Sequence, residues 1–447
     1  MEQSRTPSEL LEYLPISKAY YKMSIPLVMS LVVTIIYGLV DMYFVSATGE
    51  TSLIAGVSLI TPVYTMLMAF GDIFGYGGGA LISQFLGKKD HLKTKQVSSF
   101  SFWSALSFGV AVSILLLLFR NPIISLLGAD SDTFRHAESY YIWIALAAPA
   151  VLVYCTFLNI VRSYGKARDA MIAVIAGTVV NLVLDPILIF RFGMGAAGAS
   201  LSTFIGMAVE AIGCVWIGIR KSEALTVSLK HVRLDGGSIR KMMSVGLSSS
   251  LTNAVQMVML VITNLYLVRY SALAVSAMGI VQKVCLISYL LLLGFALGGQ
   301  PLLGFAYGAG QKNRIREIFS FEMKVCITVA VALTVIIEIF APRIMSLFVD
   351  NREIVFLGSQ MLRTQYSAAV FQAFVLVVFS LGISFGDAQT PFVLSVSRQG
   401  IVFIAAVVVL ARVFGYYGII SAQPAADLIT AAIAFFLLKK RLRKNMD

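Results

Sequence analysis

The sequence predicts an all-α integral membrane protein of twelve transmembrane helices, arranged as two six-helix lobes related by pseudo-two-fold symmetry. Three observations carry this. The 447 residues are 58% hydrophobic and only 13% charged, about half the charged fraction of a soluble domain. Apolar runs of spanning length alternate with short charged segments, and a set of motifs recurs at one fixed offset. Because the bilayer core is about 30 Å thick and offers no water to backbone groups, each run of roughly 20 apolar residues reads as a helix.

Twelve such runs centre near Ile35, Pro62, Val110, Leu146, Val180, Met207, Val258, Leu291, Val331, Val375, Ile404 and Ile433. With the amino terminus inside, the cytoplasmic segments gather most of the basic residues: Lys88 to Lys95, Arg162 to Arg168, Arg220 to Lys241, Lys312 to Arg316 and Lys439 to Lys444. The formal charge of +12 is therefore an orientation signal of the positive-inside kind and not a nucleic-acid surface. The first eighteen residues lack the basic-then-apolar order of a signal peptide. A multi-pass protein of the cytoplasmic (inner) membrane with both termini in the cytoplasm is expected.

Gly77, Gly78, Leu81 and Gly87 align with Gly298, Gly299, Leu302 and Gly308 at an offset of 221 residues (298 − 77). At the same offset Ser163–Arg168 falls on Ser384–Gln389, and one residue less superimposes Gly195 and Gly198 on Gly415 and Gly418. Three motifs in register argue for duplication, and six spans per half give parallel repeats about an axis along the membrane normal. Residues 1–220 form the expected amino-terminal lobe, 221–237 a polar cytoplasmic linker, and 238–447 the carboxy-terminal lobe.

An ionisable group inside a spanning helix costs about 2.5–3.5 kcal/mol on insertion scales, so each is a functional candidate. Asp41 lies deep in the first run, on one face with Thr34, Tyr37 and Gly38; Asp185 lies in the fifth, one turn beyond Asn181. Ala199 and Thr203 share that spacing in the sixth and offer a carbonyl and a hydroxyl. Together they form a hard-oxygen donor set suited to Na⁺ or to a proton shared between acids. Pro186 and Pro26 give both carboxylate helices a bend point. At the repeat offset, Asp41, Asn181 and Asp185 become Ile262, Val402 and Ala406. The trio is absent from the second copy, as a function concentrated in the first lobe requires; packing hydrogen bonds between helices are the plainer reading of the Asn181–Asp185 pair.

In the second lobe Arg398, Lys283, Asp427 and Gln256 form a candidate polar site, with snorkelling or simple pairing as the alternative; Asn253 is a further polar position. Glu210 and Glu338 are expected near helix ends. Four cysteines inside apolar runs offer neither a disulfide framework nor a metal site, and the three histidines, expected to be solvated, lack metal-ligand spacing. GYGGGA lacks the lysine and hydroxyl residue of a phosphate-binding loop and reads as close helix packing.

These residues resemble the multidrug and toxic compound extrusion (MATE) transporters, in particular their DinF-like branch. The resemblance rests on Pro26 with GLVDMYFVSATGETSLIAGVSL around Asp41, GGGALISQFLGKKD, FLNIVRSYGKARDAM from Phe157, GGQPLLGFAYGAG and GIISAQPAADL from Gly418. It implies two lobes in a V shape around a central cavity, with Asp41, Asn181 and Asp185 as a cation or proton site. Thr203 and Ala199 match the sixth-helix contributors, Tyr37 and Asn159 match neighbouring polar positions, and Asp427 matches a recurrent position of the last helix. The expected function is export of amphiphilic or cationic drug-like compounds in exchange for H⁺ or Na⁺, by a lipid-embedded monomer without cofactor or nucleic-acid partner. Alternatives are a lipid-linked precursor flippase, for which Arg398 and Lys283 make a thin pyrophosphate site, an intramembrane enzyme, for which no catalytic signature is present, and a passive channel or receptor.

Overall fold

The computed structural model describes residues 11–446; of these, the side chains of 253, 254, 257, 258, 260 and 441–446 lie outside the description, and the candidate position Asn253 falls among them. Twelve long helical segments follow one another: α1 (Ile16–Ser46), α2 (Thr51–Gly87), α3 (His91–Leu118), α4 (Phe134–Ser163), α5 (Ala167–Arg191), α6 (Gly195–Arg220), α7 (Gly236–Leu267), α8 (Ala272–Gly308), α9 (Lys312–Ser346), α10 (Arg352–Phe385), α11 (Gln389–Phe414) and α12 (Tyr416–Met446). Ten of them are long and apolar enough to cross a membrane by themselves, and α10 is an eleventh when its halves, bent by 49° at residues 367–368, count as one. All twelve sequence centres fall inside them. The starts of α2, α3 and α6 recur 221 residues later as those of α8, α9 and α12, so the duplication extends from motifs to helix boundaries.

The chain divides into two compact units: Met1–Tyr13 with Met29–Gly246, and Leu14–Val28 with Leu247–Asp447. Helix α1 is thus shared between them just past Pro26, and α7 just past Gly246.

In the first unit α4 is the centre, packed on α2, α3 and α6. Gly71, Gly75 and Gly79 stand one turn apart on α2 and make this approach possible. A Cβ on them would lie 2.7 Å from Cys155 Cβ, 2.8 Å from Asn159 Nδ2 and 2.5 Å from Ser163 Oγ. The glycine run therefore serves helix contact, as its sequence context predicts. Residues 225–228 of the linker lie along α3, where Ser99 Oγ donates to Ser228 O (2.7 Å) and Trp103 Nε1 to Val227 O (2.8 Å). His136 is not simply solvated: it begins α4 half-buried, with Nε2 3.0 Å from Glu50 Oε1.

The second unit has a core of α8, α9, α10, α11 and α12 side chains, among them Val281, Cys326, Leu376, Phe403 and Ala426. Two of its helices are interrupted, α10 at residues 367–368 and α11 by a π turn over Ser397–Ile401.

Candidate functional site

Asp41 projects from α1 and Asp185 from α5, and the two carboxyl groups are near enough to act on each other electrostatically. Asp185 is fully buried and Asn181, one turn before it, is 3% exposed. Pro186 ends the α-helical stretch next to the carboxylate, and the backbone continues as a π turn over Ile187–Arg191. A proline cannot donate to the carbonyl four residues back, and widening the turn is one way a helix absorbs that loss.

Helix α6 supplies the opposite wall. Its crossing with α5 is closed by Gly177 and Gly206; a Cβ on Gly206 would lie 3.0 Å from both Asn181 Cβ and Gly177 O. Ser202, which the sequence reading omits, hydrogen-bonds Asp185 Oδ1 and lies 2.8 Å from the Ala199 carbonyl. Thr203 donates to the same carbonyl at 2.9 Å and meets Tyr37 Oη at 3.1 Å. Ala199 O is therefore occupied by hydroxyl donors, and Tyr37 joins α1 to α6 beside Asp41. Tyr140 of α4, buried in the same unit, lies near enough for both carboxylates to act on it electrostatically.

The pocket has spare polar capacity. Asp41 Oδ1, Asp185 Oδ2 and both atoms of the Asn181 amide are buried without a hydrogen-bond partner. Buried polar atoms in this state cost about 1–3 kcal/mol each, so the arrangement suits something that satisfies several at once: a proton between the acids, or a small cation on the oxygens. The second unit has the control. Ile262, Val402 and Ala406 pack there against the hydrophobic core.

A second polar cluster occupies the same unit. Asn159 Nδ2 donates to Cys155 O (2.9 Å) and to Asp72 Oδ1 of α2 (3.3 Å), and Arg162 in the last turn of α4 faces Asp72, Tyr76 and Tyr154. Glu210 does not lie near a helix end: it is 3% exposed in the middle of α6, against Tyr154 and Thr178. Asp72 escapes the sequence reading although the cost argument applied to Asp41 selects it equally. Glu338 is exposed within α9, with Arg363 donating to its backbone carbonyl at 3.0 Å.

In the second unit Arg398 Nε meets Asp427 Oδ1 at 2.6 Å, Gln423 Nε2 meets the same oxygen at 2.9 Å, and the guanidinium lies over the Tyr289 ring at 5.6 Å. Lys283 is exposed and Gln256 half-buried, and neither hydrogen-bonds to this pair, so the four-residue polar site of the sequence reading reduces to Arg398 and Asp427 with new neighbours.

Two repeated halves of membrane-spanning helices, with buried acids inside the spans, define a multi-pass membrane transporter of the repeat-built kind. The family model MatE matches residues 26–187 and again 249–409, and the chain belongs to that family. It is 28% identical over 424 residues to "Multidrug export protein MepA" of Staphylococcus haemolyticus (strain JCSC1435), covering 95% of this chain and 93% of the relative. With the protein of that name from Staphylococcus aureus (strain MSSA476) it shares 26% over 431 residues, covering 96% and 95%. Among solved structures, one of the "outward-facing conformation of a multidrug resistance MATE family transporter of the MOP superfamily" superimposes with TM-score 0.93 at 22% identity, over 100% of both chains. A MOP superfamily transporter from Pyrococcus furiosus gives 0.92 at 21% identity, again over 100% of both. At those identities the structures report the fold.

Proposed function

We propose that this chain is a secondary active multidrug exporter of the cytoplasmic membrane, with both termini in the cytoplasm, and that it couples inward H⁺ or Na⁺ to export of amphiphilic, often cationic, drug-like compounds. It is a transporter and not an enzyme. The observation that carries the coupling role is the pairing of Asp41 with Asp185 in a pocket of partnerless oxygens that the second repeat fills with hydrocarbon. Asn181, Ser202 and Thr203 orient the pair, with Ala199 holding the hydroxyls of the last two. Two like charges this close repel, so loading with a cation changes their energy more than it would change that of exposed acids. Through Tyr37 and Asp41 that change acts on α1, the helix divided between the two units past Pro26, and biases one conformation over another. Assignment to the DinF-like branch rests on the Asp41, Asn181 and Asp185 pattern, and function as a monomer in lipid is part of the same proposal.

Drug efflux from proteoliposomes under an imposed pH or Na⁺ gradient tests this, with Asp41→Asn as comparison. One gradient should drive efflux in the native chain and lose its effect in the variant. Export indifferent to both gradients and to the substitution refutes antiport.

A further inference from the structure

Glu322 of α9 is fully buried, and neither of its carboxylate oxygens has a salt-bridge or hydrogen-bond partner of ordinary geometry. Beside it stands the hydroxyl of Ser380 on α10, itself fully buried and without a hydrogen-bond partner. Its titratable neighbours are Tyr20 of α1 and Cys326, one turn along α9; the Tyr20 hydroxyl is already committed to Phe295 O at 2.7 Å. No cationic side chain faces it among the described residues. An unpaired charge in such a place is prohibitively costly, so the carboxyl needs a positive partner that the chain does not supply.

The acid also packs on a glycine next to a proline of α8. Helix α8 keeps a right-handed helical backbone through Gly299; Pro301, two residues later, cannot donate to the carbonyl four residues back, and Glu322 fills the space that a side chain on Gly299 would need. The repeat shows that the fold does not require the acid. At the 221-residue offset Gly299 and Glu322 correspond to Gly78 and Ser101, where α2 runs unbroken and Ser101 Oγ rests on Met242 Sδ at 3.4 Å. A serine suffices at this packing position.

We propose that the Glu322 carboxyl, packed on Gly299 of α8 beside Ser380, is a second site for a small monovalent cation, H⁺ or Na⁺. It is separate from the Asp41–Asp185 pair and would stand if that pair played no part in coupling.

Infrared difference spectroscopy of the purified chain in lipid tests it, in a background carrying Asp41→Asn and Asp185→Asn so that the first site is silent. Carboxyl bands are recorded on a pH step and on replacing K⁺ by Na⁺ at constant pH, with and without Glu322→Ser. That variant restores the residue of the first repeat, and Glu322→Gln is the isosteric second variant. A carboxyl band that responds to pH alone and vanishes in both variants identifies the proton; one that also responds to Na⁺ identifies sodium. A spectrum in which removing Glu322 deletes no band responsive to either ion overturns the proposal, whether or not Asp41→Asn abolishes gradient-driven efflux.

Discussion

Gly177→Ala tests whether the α5–α6 crossing sets the geometry of the candidate coupling site. The added methyl would lie 2.5 Å from Gly206 O, a backbone atom that cannot turn aside, and would also overlap the Glu210 side chain. An ordinary carbon–oxygen contact is about 3.3 Å, so the helices must separate by roughly 0.8 Å or tilt. Overpacking of this kind costs about 1–3 kcal/mol, against at most about 1 kcal/mol gained from replacing helical glycine by alanine; the clash wins. The displacement acts beside Asn181 and Asp185, one and two turns after Gly177 in α5, and Ser202 and Thr203, one turn before Gly206 in α6. We expect a lower melting temperature in detergent and a loss of gradient-driven efflux larger than the loss of folded protein. Gly38→Ala is the control, since its Cβ would meet nothing within 4 Å. A Gly177→Ala chain with native melting temperature and native efflux would refute the argument that this close crossing positions the acids.

Asp41→Asn keeps the volume and removes the charge; with the energy of one buried charge at about 2.5–3.5 kcal/mol, gradient-driven efflux should fall by on the order of 100-fold, as read by dye efflux from proteoliposomes. Asp427→Asn leaves Arg398 buried without its counter-charge and should destabilise by about 3–5 kcal/mol, whereas Arg398→Met with Asp427→Leu should recover most of that, as measured by thermal unfolding. Asp235, at the start of α7, accepts hydrogen bonds from the Ser238 N–H (2.8 Å) and hydroxyl (2.9 Å), which hold it below the usual carboxylate range. Its contribution is therefore present above the ordinary Asp value and lost as pH falls through the lowered one. Hydrogen exchange of amides 236–240, corrected for intrinsic rates, should quicken on acidification through that range and be fast at all pH in Asp235→Ala.

Helix number, repeat and orientation signal were readable because each is a one-dimensional property: a run of apolar residues long enough for the bilayer, a recurring glycine pattern, a sequence of loop charges. Asp41, Asn181 and Asp185 were readable for a related reason, since a polar residue inside such a run is conspicuous wherever the chain later places it. That they would form one site was expected from the family resemblance and not from periodicity, because α1 and α5 are far apart in sequence and helical periodicity says which residues share a face of one helix, never which faces meet.

What the sequence by itself determined is the medium and the cost: an apolar chain that must satisfy its backbone in helices, and a few acids expensive enough to need a purpose. Only the tertiary structure decided which acids have partners. Packing joined Arg398 to Asp427, left Lys283 outside that pair, drew Glu210 into the middle of its helix bundle and Ser202 onto Asp185, and left Glu322 without a counter-charge against Gly299 of α8. The energy of a buried charge depends on atoms a few ångströms away, and in a helical membrane protein those atoms belong to other helices.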